Sequence, residues 1–226
     1  RIAAVVGHRY GDRISVWATD TMELEGMVDL AWGVRSWTSG ATYLPKRGQV
    51  VTFGGVLRRW DIANADVFDA YDIPAQYRRV IVSDDGSVGV ADAWPETHVF
   101  STATGQLLIR LRTPTRMAIS PSGKYFASVD NPTSIYAVAG NQRVATLPTT
   151  GANSLGQAFT PSERRFLLHT STGSLQVWDI AESKLMMTVP NAGPFAATDH
   201  GILHVVLPRD ISPPGSLEVR RVGDPT

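Results

Sequence analysis

Short apolar runs of four to seven residues, separated by brief polar or turn-forming breaks, recur from one end of this chain to the other. Residues 165–189, RFLLHTSTGSLQVWDIAESKLMMTV, show the pattern: an apolar run, a polar break, a second run closing on Trp-Asp, a second break and a third run. Runs of this length rich in Val, Ile, Phe, Tyr and Trp, and bounded by Gly, Pro, Ser and Asp, predict β-strands joined by turns. No long stretch carries the 3.6-residue period of an amphipathic helix.

The pattern repeats. One run in each successive unit reads ISVWAT, LRRWDI, THVFST, SIYAVA, LQVWDI and LEVRRV, with Trp17, Trp60, Phe100, Tyr136, Trp178 and Val219 at the anchor position, spaced 43, 40, 36, 42 and 41 residues apart. A second series keeps the same period: the turns PKRG, SDDG, SPSG, TPSER and TDHG, with Gly48, Gly86, Gly123 and Gly201 at the tight positions. Each full unit parses into four strands; in the third, RRVIVS, SVGVADAW, THVFST and QLLIRL are separated by Asp-Asp-Gly, Pro-Glu and Thr-Gly, all good turn formers. A four-stranded sheet with two apolar faces needs a neighbour on both sides, and repetition about an axis supplies it. The expectation is therefore an all-β fold, a β-propeller of about six four-stranded antiparallel blades in one domain over 1–226. The blades are expected near 1–30, 40–73, 78–113, 115–148, 156–190 and 194–224. The first unit (IAAVVG, ISVWAT, LEGMV) and the last (FAATD, ILHVVL, SLEVRRV) have three strands each, the first short of its innermost and the last of its outermost. A seven-bladed propeller completed by sequence outside this chain is the expectation.

FTPSERRFLLHTSTGSLQVWDIAESKLMMTV resembles a WD-repeat, and ISPSGKYFASVDNPTSIYAVAGNQRVATL resembles a degenerate one. Trp60-Asp61 and Trp178-Asp179 match that family's dipeptide, whereas the other units carry Trp17-Ala18, Phe100-Ser101, Tyr136-Ala137 and Val219-Arg220. The Gly-His that precedes the family's first strand is absent, since Gly7-His8 follows a second strand. The family's buried Asp-His-Ser/Thr-Trp network is thus not expected in any blade, and cohesion is assigned mainly to apolar packing at roughly 25 cal/mol per Å². STATGQLLIRL also resembles the repeat of quinoprotein-type propellers, whose pattern ends in Trp where this chain has Leu111.

Composition narrows the functions. Lys plus Arg and Asp plus Glu are 21 each, so no net field gathers nucleic acid or an anionic membrane surface. There is no cysteine, which removes disulfide and thiol chemistry and is compatible with a reducing or an oxidising compartment. No apolar run reaches the roughly 18 residues of a membrane span. Residues 1–20 carry Arg, His and Asp where a signal peptide would be apolar, which leans towards the cytoplasm. The chain opens on Arg, not Met, and the numbering is expected to begin inside a longer product.

Catalytic and metal chemistry find little support. The predicted innermost strands ATYLP, RVIVS, RMAIS, QAFTP and FAATD hold almost no ligands for a hard cation in a central channel. Asp84-Asp85-Gly86 occupies a repeated turn position and reads as an ordinary β-turn. Of His8, His98, His169, His200 and His204, only the last pair has i, i+4 spacing, which places two ligands together on a helix but not in a strand-turn context. No G-x-S-x-G elbow or glycine-rich phosphate loop occurs. No catalytic residue, cofactor or metal is expected.

The functional expectation, which the WD-repeat resemblance implies, is a non-catalytic scaffold that presents loops to a protein or peptide partner. The alternative is an enzyme or cofactor-binding propeller of quinoprotein or lactonase type. Trp32, Trp37 and Trp94 fall outside the repeated anchor and could meet a partner or cover a blade rim. Alignment on the turn glycines places Ala41, Arg79, Arg116, Gln157 and Pro194 at the start of innermost strands, seven residues before Gly48, Gly86, Gly123, Arg164 and Gly201. Arg79 and Arg116, with Arg78, Tyr77 and the Trp32–Trp37 link nearby, are the candidates for binding a carboxylate or phosphate. The competing reading is that each Arg ends a strand, solvated or paired with a local Asp.

Overall fold

Branched and aromatic residues at alternate positions put one row of side chains on each face of a strand, and the Gly-, Ser- and Asp-containing breaks turn the chain back on itself. In the computed structural model this gives, among the described residues, 22 strands in six antiparallel sheets. The structure describes residues 2–8, 11–18, 20–29, 40–44, 48–53, 56–61, 66–72, 77, 79–112, 116–149, 155–190, 192–198, 201–206 and 218–222.

The first sheet holds β1 (Ile2–His8), β2 (Gly11–Trp17) and β3 (Leu24–Asp29). The second holds β4 (Gly40–Leu44), β5 (Gln49–Phe53), β6 (Val56–Asp61) and β7 (Asp66–Asp72). The third holds β8 (Arg79–Val82), β9 (Val88–Asp92), β10 (Thr97–Ser101) and β11 (Leu107–Leu111). The fourth holds β12 (Arg116–Ile119), β13 (Tyr125–Val129), β14 (Thr133–Ala137) and β15 (Gln142–Leu147). The fifth holds β16 (Gly156–Phe159), β17 (Arg165–His169), β18 (Leu175–Asp179) and β19 (Lys184–Val189), and the sixth β20 (Ala192–Thr198), β21 (Gly201–Val206) and β22 (Glu218–Val222). In every sheet each strand pairs with its neighbour in sequence. Among the described residues the six sheets span 2–29, 40–72, 79–111, 116–147, 156–189 and 192–222, the first and the last with three strands each. Among the described residues no helix is long and apolar enough to cross a membrane.

The anchors sit in one register. The residue rows Tyr43–Val50–Trp60–Val67, Val82–Gly89–Phe100–Leu107, Ile119–Phe126–Tyr136–Arg143 and Phe159–Phe166–Trp178–Leu185 run straight across the four-stranded sheets. Immediately before each anchor the pairing to the fourth strand slips by one residue, and the same slip precedes Trp17 in the first sheet. The extra residues Glu25, Phe68, Leu108, Val144 and Met186 are β-bulges that bend the last strand of these five sheets and blunt its open edge. Trp60, Phe100 and Trp178 are buried, whereas Trp17 and Tyr136 are half-buried. In the sixth sheet the anchor register is held by Val222, which pairs with Ile202; Val219 lies mid-strand opposite Val205, so the sequence spacing placed the anchor three residues early.

The turns correct the alignment at three points. Gly48, Gly86 and Gly123 adopt positive φ, as a tight turn requires. In the fifth sheet the equivalent residue is Glu163 (φ 58°), not Arg164, because its amide donates to the Thr160 carbonyl as those of Gly86 and Gly123 donate to Ser83 and Ser120. By strand pairing the counterparts of Arg79 and Arg116 are therefore Gly40 and Gly156, one residue before Ala41 and Gln157. Gly201 belongs to β21, paired with Thr198. A Ser or Thr opens three of these turns: the Ser83, Ser120 and Thr160 hydroxyls accept the amides of Val88 (3.1 Å), Tyr125 (3.0 Å) and Arg165 (3.2 Å).

The chain divides into two compact units, Arg1–Pro114 and Thr115–Thr226. In the first, β4 lies beside both β1 and β8, and Leu44, Val51 and Leu57 of the second sheet pack on Tyr77, Val80, Ala91, Ala93 and Phe100 of the third sheet and its lead-in. Trp60 Nε1 donates to the buried Thr52 hydroxyl at 2.8 Å, so this sheet carries a Trp–Thr polar link that the sequence did not lead us to expect. In the second unit β16 lies beside β12 and β20. Here alternation sorts the fifth sheet: Phe166, Leu168 and Trp178 join the core with the fourth sheet, while Leu167, Leu175 and Val177 face Ala192, Phe195 and Ala197 of the sixth.

Candidate functional site

The third sheet ends in a turn with unusual contents. The Ala93 amide donates to the Glu96 carbonyl at 2.9 Å and the Trp94 amide to Asp92 Oδ1 at 3.2 Å, which fixes the link between β9 and β10. Pro95 and this Asx-type bond hold Trp94 at the tip, 60% exposed. Pairing puts Arg79, Asp92, Thr97 and Leu111 in one row at this end, so Arg79 and the exposed Arg112 flank the turn on either side.

A polar chain runs inward beneath the turn. Arg110 grips Glu96 with two bonds, Nε to Oε2 at 2.6 Å and Nη2 to Oε1 at 2.7 Å. Glu96 Oε2 also meets Nε2 of the buried His98 at 2.9 Å, and His98 Nδ1 lies 3.2 Å from the Tyr77 hydroxyl. An ionised carboxylate only accepts, so His98 Nε2 carries the hydrogen, and with a neutral ring the Tyr77 hydroxyl donates to Nδ1. Tyr77 stacks on Phe100 (centroids 5.7 Å apart, 22° between planes), and Phe100 lies over Gly89, where a side chain would collide with the ring. The absent side chain at position 89 thus makes room for the ring on which Tyr77 rests.

These surroundings set the charge states. The bonds from Arg110, then those from His98, hold the Glu96 carboxyl at about 2. Burial pushes the Tyr77 hydroxyl up to about 12. Near neutral pH Glu96 is an anion with both oxygens engaged and Tyr77 is a neutral phenol, an arrangement suited to holding a hairpin rigid rather than to moving protons.

The sequence candidates separate accordingly. Trp94 and Arg79 are exposed and share this end of the third sheet. Tyr77 is corrected: at 2% exposure, with its ring on Phe100 and its hydroxyl on His98, it is a core residue and not a partner contact. Arg116 is exposed at the start of β12, in the second unit. Arg78, Trp32 and Trp37 lie outside the described residues. The Asp84-Asp85-Gly86 segment is a turn, with Asp85 Oδ1 accepting from the Ser83 hydroxyl (2.6 Å) and the Ser87 amide (3.0 Å). Glu96, Arg110 and Arg112 escaped the sequence reading, and His98 was weighed there only as a metal ligand. Their signal was the Glu-x-His spacing in an extended segment together with a hairpin register that sets Arg110 opposite His98. The chain matches no protein-family model and no curated protein.

Proposed function

We propose that the chain is a run of β-propeller blades of the WD-repeat type, acting as a non-catalytic scaffold that holds a protein or peptide partner at the Trp94 end of the third sheet. Six consecutive antiparallel meanders, neighbouring first strands within each unit, and a bulge before each of five anchors support the propeller reading. The occupied oxygens and low pKa of Glu96 support a mechanical rather than a catalytic part for the polar chain.

The observation that carries the binding assignment is the state of Trp94. Single exposed apolar residues are ordinary on protein surfaces. This one is an indole on a turn whose backbone is already fixed, with arginines on both flanks, so little ordering entropy is lost when a partner covers it.

Affinity capture tests the reading, with wild type, Trp94→Ala, and Leu155→Ala as an exposed control in the second unit. The expected result is a protein recovered by wild type and Leu155→Ala and lost with Trp94→Ala, at unchanged urea midpoints. Recovery of the same proteins by all three overturns it.

A further inference from the structure

We propose that the Trp94 end of the third sheet is built for an extended acidic segment of a partner protein, with an apolar side chain against the indole and one carboxylate on each of Arg79 and Arg112. This rests on the binding reading above and names the chemistry of the partner.

The charges at this end are already sorted. The two carboxylates of residues 92–96 serve the turn itself: Glu96 is gripped by Arg110 and His98, and Asp92 accepts from the Trp94 amide. Arg110 is thereby committed to Glu96. Among the described residues no carboxylate lies in salt-bridge range of Arg79 or Arg112. Both are exposed, and each presents a planar fork of donors suited to a carboxylate.

Their spacing sets the ligand. Arg79 opens β8 and Arg112 follows the last residue of β11, the two outer strands in the order β8-β9-β10-β11. Three inter-strand steps separate them by roughly 14 Å, and the Trp94 turn joins the two strands between. An extended peptide rises about 3.3 Å per residue, so about four residues span that distance. Acidic residues at i and i+4 would reach the two arginines while the side chain at i+2 falls near the indole. A nucleic acid is disfavoured because 21 basic residues balance 21 acidic ones and no long-range field draws a polyanion.

The test uses a fluorescein-labelled peptide, GEALAEG, titrated with the full chain and followed by anisotropy at low and moderate salt. Comparison probes are GEEALAG, with adjacent acids, GKALAKG, and a seven-residue oligothymidylate. The proposal expects GEALAEG to bind more tightly than the other three, and more weakly as salt rises. Trp94→Ala should weaken it more than about tenfold, and Arg79→Ala and Arg112→Ala about three- to fivefold each, with urea midpoints unchanged. No binding of GEALAEG, affinity indifferent to either arginine, equal binding of GEEALAG, or oligothymidylate binding as tightly overturns it. Capture lost with Trp94→Ala while GEALAEG fails to bind overturns the acidic assignment alone. Equal capture by wild type and Trp94→Ala overturns the binding surface itself.

Discussion

Replacing Gly89 with Ala sets two physical effects against each other. Glycine inside a strand costs about 0.5–1 kcal/mol relative to Ala through the freedom it loses on folding, so propensity alone predicts that Gly89→Ala stabilises. The structure predicts the reverse. A Cβ at position 89 would stand 2.6 Å from Phe100 Cε2 and 2.9 Å from Cε1, against the ~3.5–4.0 Å of ordinary carbon contacts, so the ring must retreat by about 1 Å. It has little room: Phe100 is 1% exposed, stacked on Tyr77 and packed in a cluster with Leu44, Leu57 and Val80. Overpacking of this kind costs about 1–3 kcal/mol, and after the propensity gain the net loss should be about 1–2 kcal/mol. Phe100→Ala alone should cost about 3–5 kcal/mol. With the ring gone, Gly89→Ala should become neutral or stabilising by up to about 1 kcal/mol, a coupling of about 2 kcal/mol between the two sites. Urea unfolding of wild type, both single variants and the double variant measures it. Additivity within about 0.5 kcal/mol, or a stabilising Gly89→Ala in the wild-type background, would refute the packing argument.

The other predictions concern polar groups. Glu96 is held at about 2 in the folded chain against an ordinary value near 4.5, so its contribution to stability is full above about pH 4.5 and is lost as pH falls towards 2; the stability gap between wild type and Glu96→Gln should close over that window in a series of urea titrations, and a gap independent of pH contradicts the Glu96 assignment. Tyr77→Phe leaves His98 Nδ1 buried without its hydroxyl partner and should cost about 1–3 kcal/mol by thermal unfolding; a neutral result would mean that the hydroxyl does not satisfy His98. Glu163 accepts the Ser122 amide (2.7 Å) and hydroxyl (2.9 Å) from the adjacent sheet's turn while its own backbone stays left-handed; Glu163→Gly and Glu163→Ala both lose those bonds, but only Gly sheds the strain, so the Gly variant should be more stable than the Ala variant by about 1 kcal/mol.

Strand number, sheet boundaries and the anchors at Trp60, Phe100 and Trp178 were legible in the sequence, because a period near 40 imposes one register on every unit and a misread turn is outvoted by its neighbours. Errors arose where one unit departs from the others in chemistry. Glu163 occupies a position that elsewhere takes glycine, because its carboxylate reaches Ser122, and counting glycines therefore slipped the fifth unit by one residue. Val219 fits the spacing, but β22 pairs so that Val222 holds the anchor register, a matter of hairpin geometry that apolar spacing does not encode. At the candidate site Trp94 drew notice because it falls outside the repeated anchor, and Arg79 because the turn alignment put it at the start of an innermost strand. Tyr77 was misjudged because its burial depends on Gly89, twelve residues further along in β9, leaving room for Phe100. Glu96, His98 and Arg110 become a unit only when β10 and β11 are paired, which composition and spacing along one strand do not reveal.

The proposed function requires that a partner protein cover the Trp94 turn. Site-specific photo-crosslinking with an aromatic probe that keeps a ring at position 94, in cells that make the protein, measures this, with the same probe placed in parallel at Leu108 on the bulged outer strand of the same sheet. A discrete protein adduct is expected from position 94, reduced when Arg79 or Arg112 is also replaced by Ala, and none of the same mass from position 108. No adduct from position 94, or the same adduct from both positions, would contradict it.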